Sequence, residues 1–158
     1  MAEQIQLIFY DEKYLEDLEN IRLPDAQRKF TATPQEVIAT LSDPNRHLIL
    51  ILRNTICAGY FILHENDGPA EVGFDVHTLL IQSLAINPAE QGKGLAFQGM
   101  RLLPEFVKDN FAGINQLVLV VNEKNIPAQR LYKKVGFIEH SSRYSELHGT
   151  QMIYYYGL

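Results

Sequence analysis

The sequence predicts a single-domain α/β fold, a mixed and mostly antiparallel sheet of about seven strands with helices on both faces. Three observations carry this. Short apolar, β-prone runs recur seven times along the chain, separated by stretches of helical periodicity or by turn residues. The two kinds of segment are interleaved rather than blocked, which calls for a mixed sheet covered by helices. Finally, 158 residues with 46% apolar and 21% charged side chains should bury roughly two thirds of the unfolded surface, enough for one core. Residues 1–158 are therefore read as one domain.

The first strand is expected over Ile5 to Tyr10. Asp11 then offers a cap for a helix in which Leu15, Leu18 and Ile21 recur at helical spacing. Thr33-Pro34-Gln35-Glu36 is a capping box with proline at the first helical position. Asp43-Pro44-Asn45 ends that helix. His47 to Leu52 and Ile56 to Leu63 read as a β-hairpin split by Arg53-Asn54-Thr55. Glu65-Asn66-Asp67-Gly68-Pro69 reads as a loop, and Leu79 to Ile86 as the fourth strand. A helix should begin near Gly92 or Gly94 and run toward Phe111, with Pro104 inside it. Leu117 to Val121 is a buried strand, and Ile126 to Val135 is a helix ended by Gly136. Two strands finish the chain, one after Phe137 and one from Gln151 to Tyr156.

Composition narrows the function classes. The net charge of −5 argues against general nucleic-acid binding. No apolar run approaches the ~18 residues that span a bilayer, and the start Met1-Ala2-Glu3-Gln4 lacks a signal-peptide pattern. A cytoplasmic protein with no membrane partner is expected. The single cysteine, Cys57, excludes an intramolecular disulfide and reads as a small core residue. The five histidines are scattered without metal-ligand spacing, so no metal is expected. Ser83 and Ser145 lack a Ser-His-Asp context. Charge is unevenly spread. Gln91 to Gly136 carries +4, whereas the rest of the chain carries −9. A basic segment in an acidic protein suggests a local anionic ligand.

The chemistry concentrates after the fourth strand. That strand delivers the chain to Gln91-Gly92-Lys93-Gly94-Leu95-Ala96, a glycine-rich turn that opens a helix. Glycines permit tight turns and close approach, and free amides at a helix start converge on an anion. A phosphate-bearing ligand fits, with Lys93 adding charge. Two nucleotide motifs fail here. A P-loop needs Ser or Thr after its lysine, but Gly94 follows Lys93. A dinucleotide fingerprint needs glycine where Phe97 stands.

A second segment sharpens the reading. Asn125-x-x-Ala128, then Leu131-Tyr132 and Gly136-Phe137, follows the buried strand. With Gln91-x-x-Gly94-x-Ala96, it resembles the GNAT superfamily of acyl-CoA N-acyltransferases over roughly Leu79 to Phe137. The resemblance implies a GNAT-like fold and acetyl-CoA as acyl donor. Backbone groups of Leu84, Ala85 and Ile86 would pair with the pantetheine arm. Amides of Gln91, Gly92, Lys93, Gly94, Leu95 and Ala96 would hold the pyrophosphate. Asn125 would hydrogen-bond the cofactor, and Tyr132 would protonate the departing thiolate. The acceptor would be a small-molecule or peptide primary amine, and the protein a monomer or homodimer.

The sequence departs from the family at the general base. Positions where many members carry an ionisable residue hold Leu80, Gln82 and Val120. A lysine-like ammonium must lose a proton at a cost of roughly 4–5 kcal/mol at pH 7. The expectation is an ordered-water relay oriented by Gln82 or Ser83, with Glu71, Asp75, His77 and the C-terminal tyrosines as substitutes. The alternative reading is a CoA-binding sensor or interaction module without turnover. The acids of the N-terminal helices and of residues 65–75, built around the acceptor side, would favour cationic acceptors.

Overall fold

A computed structural model describes residues 3–158. Seven strands form one sheet in the order β1-β2-β3-β4-β5-β7-β6. They are β1 (Ile5–Phe9), β2 (Arg46–Arg53), β3 (Ile56–His64), β4 (Thr78–Ile86), β5 (Gln116–Asn122), β6 (Ile138–Ser145) and β7 (Gly149–Gly157). Every neighbouring pair is antiparallel except β4 and β5. The mixed, mostly antiparallel sheet is the one the sequence predicts.

Each face has its own cover. The helices α5 (Leu95–Asn110) and α6 (Ile126–Val135) lie on one face. There Ile49, Ile51, Phe61, Leu63, Leu79 and Ile81 form the larger core with Met100, Leu103 and Tyr132. Three short helices, α1 (Leu15–Glu19), α2 (Asp25–Arg28) and α3 (Pro34–Ala39), approach the other face. Leu18, Ile21 and Val37 pack there on Leu48, Leu50, Tyr60 and Ile62. All five residues from Leu48 to Leu52 are buried because both faces of β2 are covered.

Local chemistry explains the boundaries. Thr33 and Glu36 form the expected capping box, with Pro34 opening α3. Gly136, at φ +119°, ends α6 in the left-handed region. Asp11 caps only a three-residue 3₁₀ turn, so the predicted first helix shrinks to Leu15–Glu19. The predicted loop at 65–69 is in part a helix, α4 (Asp67–Glu71). Its Asp-Gly-Pro composition imitates a turn, and tertiary contacts rather than propensity hold it.

Two departures from regular pairing create the site. The parallel ladder joins Thr78–Ile81 to Gln116–Leu119 and stops. From Gln82 onward, β4 pairs only with β3. In addition, β4 bulges against β3. Tyr60 faces Ala85 and Ile62 faces Gln82, so three steps on β4 match two on β3. Ser83 takes φ +61° there, an uncommon conformation for a side-chain-bearing residue. Gly59 lies opposite the bulge, where a Cβ would come within 2.6 Å of the Ala85 carbonyl oxygen.

Candidate active site

A cleft of about 910 Å³ opens where β4 and β5 separate. One wall is Gln82, Ser83, Leu84, Ala85 and Ile86, on the stretch of β4 that has no β5 neighbour. The opposite wall is Val120, Val121 and Asn122 from the end of β5, with Asn125, Ala128 and Tyr132 from the start and middle of α6. Gln91, Gly92, Gly94, Leu95 and Ala96 close one end. The predicted site residues therefore share one cavity, although Gln82 and Tyr132 are 50 positions apart.

Lys93 is the exception. Its Nζ lies 2.9 Å from Glu90 Oε2, and it does not line the cleft. Glu90 sits between this ammonium and the Arg53 guanidinium, whose Nε and a terminal nitrogen donate at 2.7 and 3.1 Å. These bonds hold the Glu90 carboxyl well below the usual carboxylate range, at about 2. Lys93 thus anchors the turn to the β2–β3 hairpin. Positive charge at this end comes from α5 and α6 instead. Lys134 Nζ and Arg101 lie 4.5 and 5.6 Å from the Phe97 ring centroid, and Phe97 lines the cleft.

The turn has the backbone that its glycines suggest. Gly92 and Gly94 have φ +83° and +71°, and Gly94 is the residue before the first turn of α5. A Cβ at Gly92 would meet nothing within 4 Å, so the space beside it is open. Asn125 caps α6, its Oδ1 accepting from the Ala128 amide at 3.3 Å. That bond accounts for the Asn-x-x-Ala spacing and leaves the Asn125 Nδ2 amide to a ligand. Tyr132 is nearly buried, and desolvation pushes its phenol above its ordinary value.

The remaining wall was not legible in the sequence. Lys29, Phe30 and Thr31, between α2 and α3, reach over β4, and Thr31 Oγ1 donates to the Leu84 carbonyl at 3.3 Å. Glu71 and Val72 close the side near α4. Arg143 and Gln151 face the cleft from paired positions on β6 and β7, with Arg143 Nε donating to Gln151 Oε1 at 2.9 Å. Of the acids expected around the acceptor side, Glu71 alone lines the cleft among the described residues. Lys29, Lys124 and Arg143 outnumber it. The proposed substitute bases Asp75 and His77 turn elsewhere. Asp75 accepts from the His77 amide, and the His77 ring meets the Gly113 carbonyl.

Gln82 has an unforeseen partner. Its Oε1 lies 3.2 Å from Nδ1 of His64, whose Nε2 lies 3.0 Å from Asp67. Cys57 is buried beside α1, and burial pushes its thiol up to about 11. Among the described residues, no group of three or more His, Cys, Asp or Glu is placed to hold a metal ion. No helix among them is long and apolar enough to cross a membrane.

Comparison with known proteins bears on this cleft. The family model described as "Acetyltransferase (GNAT) family" matches residues 12–137. The "Uncharacterized N-acetyltransferase YbbJ" of Bacillus subtilis (strain 168) is 34% identical over 160 residues, spanning 100% of both chains. The aminoglycoside acetyltransferase AAC(6')-Ib, solved with coenzyme A, superposes with a TM-score of 0.76 at 18% identity, covering 98% of this chain and 95% of that one. The spermidine N-acetyltransferase of Vibrio cholerae, solved with CoA and spermine, gives 0.73 at 16% identity, covering 98% and 95%. At these identities, the two structures speak to the fold.

Proposed function

The chain belongs to the acetyltransferase (GNAT) family, and from that premise we propose how its cleft moves an acetyl group from acetyl-CoA to a primary amine. It is an acyl-CoA-dependent N-acetyltransferase with acetyl-CoA as donor. The carrying observation is that β4 loses its β5 neighbour after Ile81 and then leads, through the 3₁₀ turn Pro88–Glu90, to the glycine turn. An unpaired strand edge suits the amide-rich pantetheine arm, and the turn suits the pyrophosphate.

In this reading, Leu84, Ala85 and Ile86 pair with the arm through their backbone. Amides from Gln91 to Ala96 and the Nδ2 of Asn125 hold the phosphate end. The amine attacks the thioester carbonyl, whose oxygen is stabilised by backbone amides, with Leu84 as candidate donor. Gln82 and Ser83 orient the water that accepts the proton leaving the amine. Tyr132 donates to the departing sulfur. Its raised phenol pKa keeps the donor protonated across the working range. An ordinary thiol ionises near ~8.5, so the phenol serves as a hydrogen-bond donor that stabilises the thiolate until the proton lost by the amine reaches the sulfur through the relay water and solvent.

The non-catalytic sensor reading shares this cofactor site and differs in turnover. Thiol release from acetyl-CoA, followed with a pooled panel of small amines and peptides, separates them. Amine-dependent release is expected. Tight CoA binding with no release from any amine would favour the sensor.

A further inference from the structure

His64 ends β3, is 1% exposed, and joins a cleft residue to solvent. On one side, its Nδ1 meets Gln82, which lines the cleft. On the other, its Nε2 meets Asp67, whose side chain is 63% exposed. The ring is locked in this position. Gly68 packs on it so closely that a Cβ there would overlap the ring. Asn66, at φ +56°, turns the chain so that Asp67 reaches back to β3. A left-handed asparagine and a glycine against an imidazole are an expensive way to build a loop unless the contact matters.

The hydrogen-bond inventory fixes what the chain can do. A carboxylate only accepts, so Nε2 keeps its proton toward Asp67. The state of Nδ1 then decides the orientation of Gln82. In a neutral ring, Nδ1 is a lone pair. It accepts from the Gln82 amide nitrogen and leaves the carbonyl oxygen facing the cleft. In a protonated ring, Nδ1–H donates to Oε1, and the amide nitrogen faces the cleft. Gln82 Oε1 lies 3.2 Å from Nδ1, a separation that either end of the carboxamide can take. The two ends of a carboxamide have nearly the same shape, so turning it over costs little sterically.

The geometry points to His64 as a positioning residue whose protonation selects which end of the Gln82 carboxamide faces the acceptor amine. This rests on the reading of Gln82 as the residue that orients the relay water. With the carbonyl inward, Gln82 accepts from the amine or its water as the proton leaves. With the amide nitrogen inward, it opposes an incoming N–H. The proton gained and lost is the one on Nδ1, on the Gln82 side of the ring, and the imidazole takes no proton from the reaction itself. The charged groups around it are few. On α4 they are Asp67 and Glu71. Across the β2 ladder, Arg46 pairs in register with His64 and lies 3.3 Å from Asp43. Glu65 is engaged by His47 at 2.6 Å. The β4 residues facing it, Leu80 and Gln82, carry no charge.

The test uses the full chain and a weakly basic acceptor amine that stays neutral through the titration. The parent should lose kcat on acidification as His64 protonates. Asp67→Asn removes the carboxylate that faces Nε2, so its acid limb should move to lower pH. CoA affinity, by calorimetric titration, should be unchanged. His64→Gln should abolish the limb. In the parent, NMR resonances of the Gln82 side-chain amide should titrate together with the His64 ring. An acid limb unmoved in Asp67→Asn, or retained in His64→Gln, overturns the proposal. So do Gln82 amide resonances that ignore the His64 titration, whatever the kinetics. Intact amide–imidazole coupling together with unaltered kcat in Gln82→Met would overturn the relay reading of Gln82 instead.

Discussion

Tyr132 can be tested by removing one atom. Tyr132→Phe keeps the edge contact with Phe137, at 5.6 Å between centroids, and deletes only the proton donor. A hydrogen bond to a developing charge is worth about 1.5–3 kcal/mol, or roughly tenfold to a hundredfold in rate. Turnover should fall at least tenfold while CoA affinity, by calorimetry, stays nearly constant. Full turnover in steady-state kinetics would reduce Tyr132 to a packing residue. Gly94 makes the complementary case. Its φ of +71° is the left-handed region, where an L side chain costs roughly 1–2 kcal/mol and a β-branched one more. Gly94→Val should therefore remodel the turn and weaken CoA binding by tenfold or more, with the far-ultraviolet spectrum retained. Affinity equal to that of the parent would remove the turn from the cofactor site. Gly94 was legible as a turn residue because a strand, a glycine turn and a helix start follow closely in the sequence, and Tyr132 was singled out by the Asn125-to-Phe137 motif resemblance. His64 was not. Its partner Gln82 is 18 residues away, and their meeting depends on a bulge that no local pattern announces.

Elements tell the same story through their anchors. The strands and the two long helices follow from apolar patterning and from Gly94, Asn125 and Gly136 at the helix ends, which act locally. The helices α2 and α4 have four and five residues, too short for a periodic signal. α4 forms because β3 and β4 offer it a surface, whereas α2 buries no side chain, so the cleft wall they supply was hidden as well. Between these classes lies the 3₁₀ turn before the cofactor loop, which carries Glu90. Arg53 on β2 and Lys93 on the loop both bond that carboxylate. Glu90→Gln should destabilise the fold at pH 7 by about 1–3 kcal/mol, the usual loss for a hydrogen bond to a charged group. The sign of the pH dependence follows from its lowered pKa of about 2. The contribution is fully present above the unfolded value near ~4.3 and is lost as pH falls toward 2. Thermal melts of parent and variant should differ most at neutral pH and converge near pH 2. A gap that persists there would assign the stabilisation to packing.

Taken whole, the molecule has a charge of −5, yet its cleft is lined by Lys29, Lys124 and Arg143 against an unneutralised Glu71. Distant acids act through solvent and are screened beyond about 8 Å at physiological salt, so the lining charges should dominate acceptor choice. Arg143 spends its Nε on Gln151 and keeps two terminal nitrogens for an anion. An acceptor amine that also bears a carboxylate should be used at least as well as a matched diamine. Arg143→Gln should lower kcat/KM for the carboxylate-bearing acceptor roughly threefold to fivefold, the scale of an exposed ion pair, and leave the diamine unchanged. A diamine preferred at low salt, and unaffected by Arg143→Gln, would return the choice to the outer acids. The parting of β4 from β5 has a mechanical side as well. Only four ladder positions, Thr78 to Ile81 against Gln116 to Leu119, stitch β1–β4 to β5–β7–β6. The molecule is thus two half-sheets meeting along a short seam, with the cleft as its unstitched length. A ligand lying in that gap bonds to one half while resting on the other, so it acts as thread. Its arrival should slow amide exchange along β7 well beyond Gln151, the residue of that strand that faces the cleft, because the two halves can then no longer breathe apart.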